Sequence, residues 1–176
     1  MRRLIALALL AAAPAAAQQA APETVTIDAF SVWEATGTTT LVGPDTQMFA
    51  GEMSGPYFID AGEGPVPAGT IVCVGSLEAS SQTGAQKGSA RCRLVAVDGA
   101  VAFGRFSCEG WRIVGCVGRF VIDGGEGRLS GVAGEGPIAI RRYETALIAT
   151  ENGAVVEHAL GVASWKGFAL SGAASR

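Results

Sequence analysis

The sequence predicts an all-β protein: a single closed antiparallel β-barrel of about eight strands, with a β-sandwich as the alternative. Three observations carry that expectation. From Thr24 onward, apolar and polar residues alternate with a period of two, as they do in half-buried strands. Turn formers such as Gly43-Pro44-Asp45, Asp98-Gly99, Asp123-Gly124-Gly125 and Asn152-Gly153 punctuate the alternation. Runs with apolar residues three and four apart, which an amphipathic helix needs, are missing over the same span. A meander of that length removes its exposed edges by closing.

The chain opens with Arg2-Arg3, an apolar run from Leu4 to Ala13, Pro14 and then small residues. That is the layout of a secretory signal, and the run falls short of the roughly 20 residues a membrane-crossing helix requires. The expected organisation is a signal peptide at 1–17, a flexible N-terminus at 18–23, a barrel domain at 24–170 and a C-terminal tail at 171–176. Export to the periplasm or the exterior follows, with no membrane span. Without Arg2 and Arg3 the balance is eleven basic against sixteen acidic residues, a net charge near −5. Such a surface gives no electrostatic reason to bind nucleic acid.

Strands are expected at Thr24–Trp33, Gln47–Ile59, Gly69–Ala79, Ser89–Val97, Val101–Cys108, Ile113–Ile122, Pro137–Thr150 and Ala154–Ala169. Asp98-Gly99 and Asn152-Gly153 are the sharpest hairpin signals, because both central positions of the favoured turn need positive φ. The stretch Asp60–Ala68 shows no pattern and reads as a loop.

Cys73, Cys92, Cys108 and Cys116 are even in number, and no C-x-x-C spacing suggests zinc or a redox motif. In an exported chain they read as disulfides. Three connectivities are open, and hairpin symmetry favours one. Cys73 and Cys92 are equidistant from the polar stretch Ser80–Ala85, and Cys108 and Cys116 from Arg112. Residues equidistant from a turn face each other across an antiparallel pair. A Cys92–Cys108 bridge would centre on Ala100, away from the Asp98-Gly99 turn.

The most distinctive segment is Gly124-Gly125-Glu126-Gly127-Arg128-Leu129-Ser130-Gly131. Its glycines miss the G-x-G-x-x-G phosphate spacing, and no helix follows to present its amides. Read as structure, Gly124, Gly125, Gly127 and Gly131 make a tight reversal between two strands, with Leu129 plugging inward. The segment resembles the strand, G-G-x-G-[KR]-[FYL]-x-G, strand signature of the allene oxide cyclase-like and dirigent-like β-barrel families. Together with Gly88–Cys92, Asp98-Gly99 and Cys116–Phe120, it is similar to small exported bacterial members of unassigned function. The resemblance spans about Gly69 to Ile140 and implies a cofactor-free barrel. Its plant members cyclise a fatty-acid epoxide or steer radical coupling of phenols, and commonly form trimers, so a homo-oligomer is one arrangement it implies.

Candidate chemistry is sparse. The single histidine, His158, shares a strand face with Val156 and Leu160. Lining a barrel it would be an acid or base near neutral pH; facing outward it would be an ordinary surface histidine. Arg142 and Glu144 share a face with Ile138 and Ile140, so an inward pair would either meet a polar ligand group or satisfy itself. Trp111 falls near a hairpin tip, where it would pack across the barrel mouth or, if exposed, contact a ligand or partner. Glu34, Glu78, Glu109 and Arg105 read as rim charges. One histidine and scattered carboxylates give no metal site and call for no cofactor. Trp111, Arg142, Glu144 and His158 are therefore the ligand-binding candidates. The function expected is a non-catalytic binding or structural module with a small apolar ligand or a protein partner. A cofactor-free isomerase or cyclase acting on such a ligand is the alternative.

Overall fold

The computed structural model describes residues 24–60, 62–112, 114–151 and 154–172. The expected signal peptide, its cleavage point and the Asn152-Gly153 turn lie outside these. Eight strands form: β1 Thr24–Leu41, β2 Thr46–Asp60, β3 Pro65–Ser80, β4 Ala85–Ala96, β5 Val101–Trp111, β6 Gly115–Glu126, β7 Ala133–Glu151 and β8 Ala154–Ser171. Each pairs antiparallel with its neighbour in sequence, and β8 returns to β1, so the sheet is a closed barrel. The sandwich alternative is thereby set aside. No helix among the described residues is long and apolar enough to cross a membrane.

Most strands run beyond the expected limits, β4 and β7 by four residues at their starts, and three show why. β1 runs on through Glu34–Leu41, a threonine-rich stretch lacking large alternating apolar residues, because it is hydrogen-bonded on both sides, to β2 and β8. β3 begins at Pro65, inside the expected loop. β6 continues past Ile122 to Glu126, its extra residue absorbed by a register shift opposite Phe103 and Gly104. A one-turn 3-10 helix, η1 (Gly127–Leu129), then leads to β7. Gly127 and Gly131 have φ of 64° and 78°, a region open to glycine and costly for residues with a Cβ.

Strands β1, β3, β5 and β7 finish at one end of the barrel, called upper here. The turns after β2, β4 and β6 share the lower end. Side-chain clips hold both. At the upper end, Asp45 accepts bonds from the Ser80 hydroxyl at 2.8 Å, the Ser81 hydroxyl at 2.9 Å and the Gln82 N–H at 2.8 Å. At the lower end, Asp98 accepts from Arg128 at 2.6 Å, tying the β4–β5 turn to η1. Asp28 accepts from the Gly167 N–H at 2.7 Å, beside a shift in β1–β8 register.

Both expected disulfides form, Cys73–Cys92 and Cys108–Cys116. The first joins direct cross-strand partners. The second is diagonal: Trp111 pairs with Gly115 and Cys108 with Gly118, so the hairpin is centred one residue beyond Arg112.

Phe120, Ile71, Ile138, Ala163 and Trp165 plug the waist of the barrel. Phe120 meets Trp165 edge-on, with ring centroids 5.6 Å apart. Along β8 the inward residues are Glu157, Ala159, Gly161, Ala163 and Trp165, while the partly buried Val156, Leu160 and Val162 alternate with them. Small residues are needed inside because aromatic rings from neighbouring strands cross the lumen. The outer wall carries ion pairs instead, among them Arg105–Asp123, Arg119–Glu135 and Lys87–Glu78.

Candidate functional site

With its waist plugged, the interior divides into a cavity at each end. The lower cavity measures about 450 Å³, within the usual range for small-molecule sites. Ile27, Ile59, Leu94, Ile122, Phe168 and Leu170 line it, and Arg128 is the one charged side chain among its described lining residues. Tyr57 is half-buried there, and burial pushes its hydroxyl pKa up. Trp165 contributes an indole N–H that is buried without a hydrogen-bond partner, the residue being 5% exposed. A buried donor without an acceptor is costly, and this one belongs to a residue of the cavity lining.

The mouth of the lower cavity is fixed by the glycine-rich reversal. Leu129 reaches the lining as expected for an inward plug, and Arg128 beside it holds Asp98. That bond, with a further one from the Ala100 N–H, brings the Asp98 pKa down to about 2. The same interaction raises the pKa of Arg128.

The upper cavity is smaller, about 110 Å³. Trp33, Met53, Leu77, Phe106 and both disulfides give it apolar walls, while Gln86, Arg112, Arg142 and Glu157 supply polar groups. Glu157 is 5% exposed and lies 3.8 Å from the Arg112 guanidinium. Arg112 also donates to the Gln47 side-chain carbonyl. Arg142 is half-buried, and desolvation lowers its pKa against the opposing pull of Glu157. The guanidinium remains protonated at neutral pH.

The four sequence candidates separate. Arg142 lines the upper cavity as an inward residue. Glu144 does not accompany it: a register shift between Arg142 and Glu144 sets Glu144 opposite Leu160, exposed. The carboxylate facing Arg142 is Glu157. His158 alternates with the inward Glu157 and Ala159 and lies outside, 3.7 Å from Glu34. It lines neither cavity. Trp111 is 55% exposed on the outer wall.

Alternation alone misses Glu157 because both faces of β8 are apolar, and it misses Arg112 because that residue sits in a turn. Tyr57 and Arg128 are legible only as an alternating aromatic and a motif position.

No family model matches this chain, and no curated protein matches it. Among solved structures, that of a pterocarpan synthase dirigent protein is similar, with a TM-score of 0.36 and 14% sequence identity, covering 84% of this chain and 94% of that one. At that degree of likeness the barrel closure rests on the strand pairing itself.

Proposed function

We propose that the protein is exported and holds a small, largely apolar molecule in the lower cavity, as a binding module without catalytic machinery of its own. The observation that carries this reading is a cavity of about 450 Å³ with an almost wholly apolar lining. Burying an apolar ligand there releases water from ligand and wall alike, worth roughly 25 cal/mol per Å². The unpartnered indole N–H of Trp165 calls for one acceptor on that ligand. Tyr57 and Arg128 offer further donors. Export is supported by the signal-like N-terminus and by two disulfides, which persist in oxidising compartments.

Titration with an apolar fluorescent probe such as N-phenylnaphthylamine tests the reading. Wild type should bind it saturably. Ala96→Leu, which adds bulk to the lining, should weaken binding about tenfold while the far-ultraviolet spectrum stays unchanged. Equal binding by both proteins, or none by either, contradicts it. A natural ligand recovered in chemically altered form would favour the isomerase alternative instead.

A further inference from the structure

We propose that the upper cavity is a second, independent binding site, selective for a small organic monoanion, a short-chain carboxylate. Four charged residues border it, but Glu52 is exposed and pairs with the exposed Thr36 and Val74 on the outer face, which leaves three ionic groups facing the interior, the guanidiniums of Arg112 and Arg142 and the carboxylate of Glu157. One positive charge is therefore in surplus within a largely apolar wall. A charge removed from water needs a counter-charge.

The hydrogen bonds point the same way. Arg112 is engaged by Gln47 and Glu157, whereas Arg142 donates to the Thr145 hydroxyl at 3.5 Å. A guanidinium carries five N–H donors in a planar fork that suits the two oxygens of a carboxylate. Trp33, 5% exposed, adds an indole N–H without a partner. Gln86, 8% exposed, has a side-chain carbonyl equally unpartnered. Its amide keeps two further donors. Donors outnumber acceptors in this lining, so an acceptor-rich anion completes it.

Glu157 sets the upper limit on charge. A dianion would overbalance a surplus of one and bring its second charge against the buried Glu157 carboxylate. Size sets the second limit: about 110 Å³ is less than the roughly 150 Å³ apolar cavity that accepts benzene. The enclosed part of the ligand is thus a carboxylate with a few carbons, lying against Met53, Leu77 and Phe106.

Butyrate, 1-butanol and malonate are the probes, and the shift of the Trp33 indole N–H resonance, assigned with Trp33→Phe, is the readout. In wild type, butyrate should bind at least tenfold more tightly than butanol or malonate. Arg142→Gln should lose that preference and Arg142→Lys should keep part of it. Glu157→Gln, which raises the surplus, should narrow the gap between malonate and butyrate. Butanol binding as tightly as butyrate, or no binding of either, overturns the proposal from wild type alone. So does unchanged butyrate binding in Arg142→Gln. Because this readout lies in the upper cavity, its result is separable from the outcome of the naphthylamine titration at the lower one.

Discussion

Trp33 on β1 and Gly161 on β8 are direct cross-strand partners, and the Trp33 indole occupies the space that a Cβ on Gly161 would need. The ring crosses the lumen just above the waist, where an eight-stranded barrel has room for little more than its own side chains. Gly161→Ala is therefore expected to push the indole or the strand and to destabilise the fold by about 1–3 kcal/mol, the usual cost of overpacking. Chemical denaturation of the two proteins measures it.

Acid should loosen the lower end. The Asp98 pKa is held near 2 by Arg128 and the Ala100 N–H, against an ordinary value of 3.8. A depressed folded-state pKa contributes stability that is complete above the unfolded value and lost as pH falls through the folded one. Melting temperature should accordingly fall between about pH 4 and pH 2. Asp98→Asn should show a smaller fall over that window, with its deficit at neutral pH already present. A profile superimposable on wild type would rule out this clip as a source of acid sensitivity.

The two disulfides close loops of different length, with sequence separations of 19 and 8. On chain entropy alone the longer loop contributes about 0.8 kcal/mol more. The Cys73→Ala/Cys92→Ala double variant should therefore be less stable than Cys108→Ala/Cys116→Ala. Peptide mapping without reduction should recover the same two pairs from the folded protein.

Adjacent residues on β8 should behave differently. His158 faces Glu34 on the outside, where such a pair contributes at most about 1 kcal/mol. His158→Gln should leave both stability and ligand binding nearly unchanged. Glu157 is buried between two guanidiniums, and Glu157→Gln should cost about 1–3 kcal/mol by leaving them uncompensated. Thermal melts of the two variants side by side check the contrast.

That contrast shows where the sequence is legible. Period two with turn residues between runs marks all eight strands, and symmetry about the turn sets Cys73 opposite Cys92, because both are properties of a hairpin alone; for Cys108 and Cys116 the symmetry centre is one residue off and the bridge is diagonal. Which face of a strand points inward depends on the neighbours. β8 has Val156, Leu160 and Val162 on one face and Ala159, Ala163 and Trp165 on the other, so hydrophobicity does not choose between them. Trp33 and Phe120 choose, by filling the lumen and admitting small residues opposite. Glu144 illustrates a second limit: one register shift in β7 transfers it to the outer face, and no residue pattern announces the shift. The tail of β1 illustrates a third, since Thr36–Thr40 owe their strand conformation to partners on both sides.

The central claim is that the lower cavity is made to be filled. Native mass spectrometry of the protein purified gently from its own host compartment tests it most directly. A non-covalent adduct of small-molecule mass should accompany wild type and be lost or strongly reduced in Ala96→Leu. Only the bare polypeptide mass in wild type, or an adduct equally abundant in both proteins, would contradict the claim.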